Sequence, residues 1–95
     1  MLKHRDLHGD RWFQLSLVEQ MANIGSEVFR AMNWRKKRSE EYAQQANLRA
    51  LELFDLTLSD KRHKASLKEI ARSRELWLDF FLGSNQYKQT ADMWE

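Results

Sequence analysis

Apolar side chains recur at three- and four-residue steps along most of the chain, the spacing that lays one stripe down an α-helix. From Trp12 to about Lys36, Val18, Met21, Gly25, Val28 and Met32 follow that rhythm, and Leu17 and Ile24 widen the stripe. A stripe that wide faces a core rather than a thin two-stranded seam. Asp10 stands where its carboxylate can accept the orphan N–H groups of the first turn. Ser39 opens a second helix, with Glu40 and Glu41 in the turn where the helix dipole favours carboxylates. Its stripe is Ala43, Ala46, Ala50 and Leu53, flanked by Leu51, Phe54 and Leu58, and it runs to about Ser59.

Lys61 to Lys64 read as a polar connection. Ser66-Leu67-Lys68-Glu69 then has the form of a capping box, opening a third helix with Leu67, Ile70, Ala71, Arg74, Trp77, Leu78 and Phe81. Gly83 is its natural stop. Ser84 or Asn85 starts a short fourth helix carrying Tyr87, Ala91 and Trp94, and residues 1–9 form a loosely ordered lead-in. Proline is absent and only three glycines occur, so little interrupts these helices. Short connections make successive helices antiparallel. The predicted fold is all-α: one domain over residues 1–95, an antiparallel up-down-up bundle of three long helices plus the short C-terminal fourth. Ala22, Gly25 and Ser26 on the first helix and the alanines of the second predict a close approach of those two axes.

Composition narrows the function classes. Apolar residues make up 42% and charged residues 32% of 95 residues, the balance of a soluble globular chain. Uninterrupted apolar runs stop at lengths such as Phe80-Phe81-Leu82, against the roughly 20 residues of a membrane span. The N-terminal residues have no apolar h-region, so the expected location is cytoplasmic. Cysteine is absent, which removes disulfides and thiolate metal sites. The net charge of +2 is too small to mark a dedicated DNA-binding domain, so local clusters matter more.

Of eleven aromatic residues, Trp12, Phe13, Trp77, Phe80, Phe81, Tyr87 and Trp94 lie near the start of the first helix and the end of the third. Trp77, Leu78, Phe80, Phe81 and Leu82 cover almost every direction around the third helix, so it needs cover on more than one side. The fourth helix or a second copy would supply that cover. Arg74 falls on the apolar stripe, with Glu19, Glu27 or Glu52 as candidate partners, or with its stem buried and its head at the bundle edge. Two basic runs, Arg35-Lys36-Lys37-Arg38 and Lys61-Arg62-His63-Lys64, are candidate phosphate contacts. Antiparallel topology puts them at opposite ends of the second helix, roughly 30 Å apart.

Catalytic chemistry finds no candidate. Glu52-Leu53-Phe54-Asp55 has the E-x-x-D spacing of all-helical nucleotide pyrophosphatases, but the partner E-x-x-E motif is missing, and there is no E-x-x-H pair. Glu75 and Asp79 read with them as solvated charge. His4 and His8 are four residues apart with nothing beside them to complete a metal shell, and His63 lies in a basic loop. Without cysteine or a histidine on an apolar face, no nucleophilic constellation forms. The expectation is no catalytic residue, metal or cofactor.

Tyr42-Ala43 through Leu53-Phe54 is superficially similar to half a tetratricopeptide repeat, but the other half and any 34-residue period are missing. The run Leu17-Val18-Glu19-Gln20-Met21-Ala22-Asn23-Ile24-Gly25-Ser26-Glu27-Val28, with Asn33-Trp34, Glu40-Glu41-Tyr42 and Leu53-Phe54-Asp55-Leu56-Thr57, resembles small all-helical prokaryotic proteins without assigned activity. The likeness covers about residues 12–83 and implies a helical bundle with no catalytic residues to transfer. The expected function is therefore non-enzymatic protein–protein contact, as a homodimer, through Trp77, Phe80, Phe81, Tyr87 and Trp94. The alternative is nucleic-acid binding through Arg35, Lys36, Lys37, Arg38, Lys61, Arg62 and Lys64.

Overall fold

The computed structural model describes residues 10–83. Those residues form the all-α bundle that the periodicity predicts, with no strand among them. A short helix α1 (Asp10–Phe13) leads into α2 (Leu17–Lys36), and α3 (Glu40–Leu58) returns alongside it. A 3₁₀ segment (Lys61–Ser66) then carries the chain into α4 (Leu67–Leu82). Side-chain bridges set the directions. Residues 37–39 turn the chain back on itself between the paired Arg35 and Glu40, and Glu27 meets Arg49 midway along, so α2 and α3 run antiparallel. Arg35 at the end of α2 donates to the carbonyl of Phe81 at the end of α4, so those two helices run parallel. The predicted fourth helix lies outside the described residues.

The first helix is broken where the pattern predicts continuity. The break follows from Ser16, whose hydroxyl accepts from the backbone N–H of Glu19 while the Glu19 carboxylate accepts from the N–H of Ser16. This reciprocal cap starts a new helix at Leu17. The capping box expected at Ser66–Glu69 does not form, because the 3₁₀ turn before it already fixes the entry and Ser66 makes no capping bond. Asp60 caps instead, accepting from the N–H of Arg62. Gly83 ends α4 in the left-handed conformation, with φ of 94°, as its sequence position predicts.

The alanine stripe of α3 is core: Ala43, Ala46, Ala50 and Leu53 are buried, with Phe54 and Thr57. The stripe of α2 is rotated by about one residue step from its predicted position. Its buried face is Gln20, Ile24, Glu27, Val28, Ala31 and Met32. Val18 is 78% exposed, and Ala22, Gly25 and Ser26 all face outward. Two polar residues cause the shift. Gln20 and Glu27 take inward positions because both find partners there, so counting apolar residues alone puts the face too far round. Of the small residues predicted at the α2–α3 contact, only the alanines of α3 are buried. Gly25 packs against nothing, and a Cβ built on it meets no atom within 4 Å. Gly25→Ala should therefore raise the stability of the single chain by about 1 kcal/mol, seen as a higher urea midpoint at low protein concentration.

Arg74 is half-buried at the bundle edge, where its Nε donates to Asp55 Oδ1 at 3.0 Å. Its partner is the α3 carboxylate one turn beyond Glu52, not Glu19, Glu27 or Glu52. Its head reaches the edge as the snorkelling alternative predicts.

Candidate protein-contact surface

A buried polar cluster fixes the presentation of α2. Gln20 is fully buried, and its Nε2 donates to the carbonyl of Trp12 at 2.9 Å and to Asp60 Oδ2 at 3.0 Å. Gln20 Oε1 lies 3.0 Å from His63 Nε2. An amide oxygen only accepts, so Nε2 carries the proton in this contact. Arg62 donates through Nε and a terminal nitrogen to both oxygens of Asp60, and reaches the carbonyl of Leu15 at 2.6 Å. The cluster ties α1, the α1–α2 turn, α2 and the 3₁₀ segment into one unit. The Arg62 guanidinium is the main force holding the Asp60 carboxyl far below the usual carboxylate range. Burial opposes this, and the Arg62 N–H and Gln20 assist it.

The sequence reading missed this cluster because it treated residues 61–64 as a solvated loop. His63 is buried and Asp60 is 5% exposed. The available signal was Asp60 two residues before Arg62 at a helix start, where an aspartate both caps and pairs.

With its inner face committed, α2 turns Val18, Ala22, Gly25 and Phe29 to solvent along one line, at steps of four, three and four. Val18 is 78% and Phe29 50% exposed. One flank of this line is apolar: Leu17 and Met21 are half-buried and Met32 buried. The other is polar, with Glu19, Asn23, Ser26 and Arg30 exposed. The apolar flank borders the seam between α2 and α4, which holds two half-open cavities. One, of about 190 Å³, is lined by Leu17, Met21, Ser66, Glu69, Ile70 and Ser73. The other, of about 160 Å³, is lined by Met32, Arg35, Lys36, Phe80 and Phe81. On α3, Leu48 is 64% exposed, but Glu52 and Asp55 share its groove and make that face acidic.

Of the five aromatic residues expected at the contact, the three among the described residues do not form one exposed surface. Trp77 and Phe81 are buried in the core of the single chain, and Phe80 is half-buried. Tyr87 and Trp94 lie outside the described residues. The correction follows from the direction of α4. It turns Ile70, Trp77 and Phe81 inward together, so its bulk fills the bundle and leaves Leu82 as the exposed apolar residue at that end.

The basic runs sit at opposite ends of α3, as expected, and several of their cations hold the fold. Arg35 pairs with Glu40 at 2.7 Å, and its guanidinium lies 3.8 Å above the Phe81 ring. That arginine holds the Glu40 carboxyl below its ordinary range, with help from Gln44. Arg62 belongs to the buried cluster, and Lys37 lies 5.3 Å above the Trp34 ring. Lys36, Arg38, Lys61 and Lys64 are exposed.

Among the described residues, no three carboxylate or histidine side chains come together as a metal site, and Asp55 is taken by Arg74. No helix among them is long and apolar enough to cross a membrane. No protein-family model, curated protein or solved structure matches this chain.

Proposed function

We propose that this protein works by protein–protein contact, without catalysis, as a homodimer whose contact face is the outward side of α2. One observation carries the reading: the line Val18, Ala22, Gly25, Phe29, exposed along a helix whose other side is already packed. A contiguous apolar patch on a small soluble domain marks an interaction site more often than a solitary exposed leucine does. Gly25 supports it. A mid-helix glycine facing open space costs about 1 kcal/mol and has no use within one chain, but it lets a second backbone approach closely. The size of the chain also favours association, because a 95-residue bundle gains buried surface by it.

Nucleic-acid binding through the basic runs ranks second. Arg35 and Arg62 are engaged in ion pairs and carbonyl contacts, and the remaining cations are split between the two ends of the molecule.

The contact face makes the first functional prediction. Val18→Glu with Phe29→Glu should leave the helical circular dichroism unchanged and convert a dimer into a monomer in sedimentation velocity. Both positions are exposed, so the bundle tolerates the charges. A double variant that remains dimeric would move the contact elsewhere.

A further inference from the structure

We infer that two copies pair antiparallel along α2, with the two-fold axis passing between Ala22 and Gly25. This rests on the homodimer reading above and adds the direction, the register and the pairs that fix them.

The residues around α2 are distributed so as to select a direction. At 3.6 residues per turn, positions eleven apart lie three turns away on nearly the same side. Val18 and Phe29 are one such pair at the two ends of the exposed line, and Glu19 and Arg30 are another on its polar flank. Antiparallel pairing places each flank against the same flank of the partner. The apolar flank then meets its own copy through the half-buried Leu17 and Met21, while Met32 stays within its own chain. The polar flank meets its own copy in reverse order, which brings the acidic Glu19 end toward the basic Arg30 end twice, once on each side of the axis. Parallel pairing instead sets the polar flank of Glu19 and Arg30 against the partner's Leu17 and Met21, and strands both charges on an apolar surface.

The register follows from size. With the axis between Ala22 and Gly25, Phe29 of each copy lies beside Val18 of the other. Ala22 lies beside the partner's Gly25. The bulky residues sit at the ends and the smallest at the crossing, so the axes approach toward the short end of the usual range of roughly 8–10 Å. Charge also complements at this distance. Arg30 already pairs with Glu27 at 2.8 Å, yet its side chain is 58% exposed. Glu19 caps α2 through one oxygen, Oε1, and remains exposed.

The absence of cysteine makes the test clean. Val18→Cys and Phe29→Cys are prepared as separate full-length variants, mixed in equal amounts, and oxidised mildly. Disulfide-linked dimers are then identified by mass. Antiparallel pairing brings position 18 of one copy beside position 29 of the other. It holds like positions about 16 Å apart, far outside the roughly 7 Å limit for bridging Cα atoms. The expected result is a mixed disulfide at about tenfold the yield of either variant oxidised alone. Homodisulfides at both positions would overturn the antiparallel pairing while leaving a dimer on this face. A wild type that is dimeric by light scattering, with neither kind of disulfide in the variants, would overturn the face itself. A wild type that is monomeric throughout would overturn the homodimer reading and this inference together.

Discussion

Trp77→Ala is expected to destabilise the bundle by about 4 kcal/mol, in the range for emptying a buried tryptophan site. The side chain is fully buried, with its ring centroid 5.1 Å from that of Phe81. Its indole Nε1 donates to Asn47 Oδ1 at 2.7 Å, and Asn47 is itself 3% exposed. Truncation leaves a large cavity and an orphaned amide oxygen at once. Trp77→Phe separates the two effects: it keeps most of the ring and should cost about 2 kcal/mol for the unpaired Asn47. Against total stabilities of about 5–15 kcal/mol, a loss of that size leaves the alanine variant as little as about 1 kcal/mol at the low end of the range. Urea denaturation measures both. An alanine variant that folds normally but loses self-association would instead make Trp77 an interface residue.

Asp60→Ala should cost about 3 kcal/mol, because it leaves Gln20 and Arg62 without the carboxylate that both donate to. The loss is larger than for an ordinary surface pair, since Asp60 is 5% exposed and also caps the 3₁₀ segment. Its dependence on pH has a definite sign. The folded carboxyl titrates below its unfolded value, so its contribution is complete above about pH 4 and is lost as the pH falls below that. The wild type should therefore lose stability on acidification more steeply than the Asp60→Ala chain. Urea midpoints taken from neutral to acidic pH read the difference, and parallel curves would assign the acid sensitivity to other carboxylates.

The fold was legible because periodicity, breakers and caps agree along most of the chain. The alanine stripe of α3 and the left-handed Gly83 stand where their patterns put them. The facing of α2 was not legible. Gln20 and Glu27 take core positions only because residues far along the chain meet them there, Asp60 and His63 for one, Arg49 for the other. Such pairing is invisible to any local window, so residues 18 and 25 read as core when they face outward. The same limit hid the candidate site. Aromatic bulk on α4 drew attention to Trp77 and Phe81, which the bundle uses internally. The proposed contact face consists of residues too small or too scattered to stand out. Gly25 is conspicuous in the pattern, yet no described residue packs against it.

Homodimerisation through α2 is read most simply from the molar mass in solution. Size-exclusion chromatography with light scattering would be run over a dilution series, at low and high salt, with nucleic-acid absorbance followed across the peak. The account predicts a mass near twice the 11.5 kDa chain. That mass should fall toward the monomer only on dilution, persist in high salt because apolar contact dominates, and carry no nucleic acid. A monomer at every concentration, or a peak whose bound nucleic acid is stripped by salt, would contradict it.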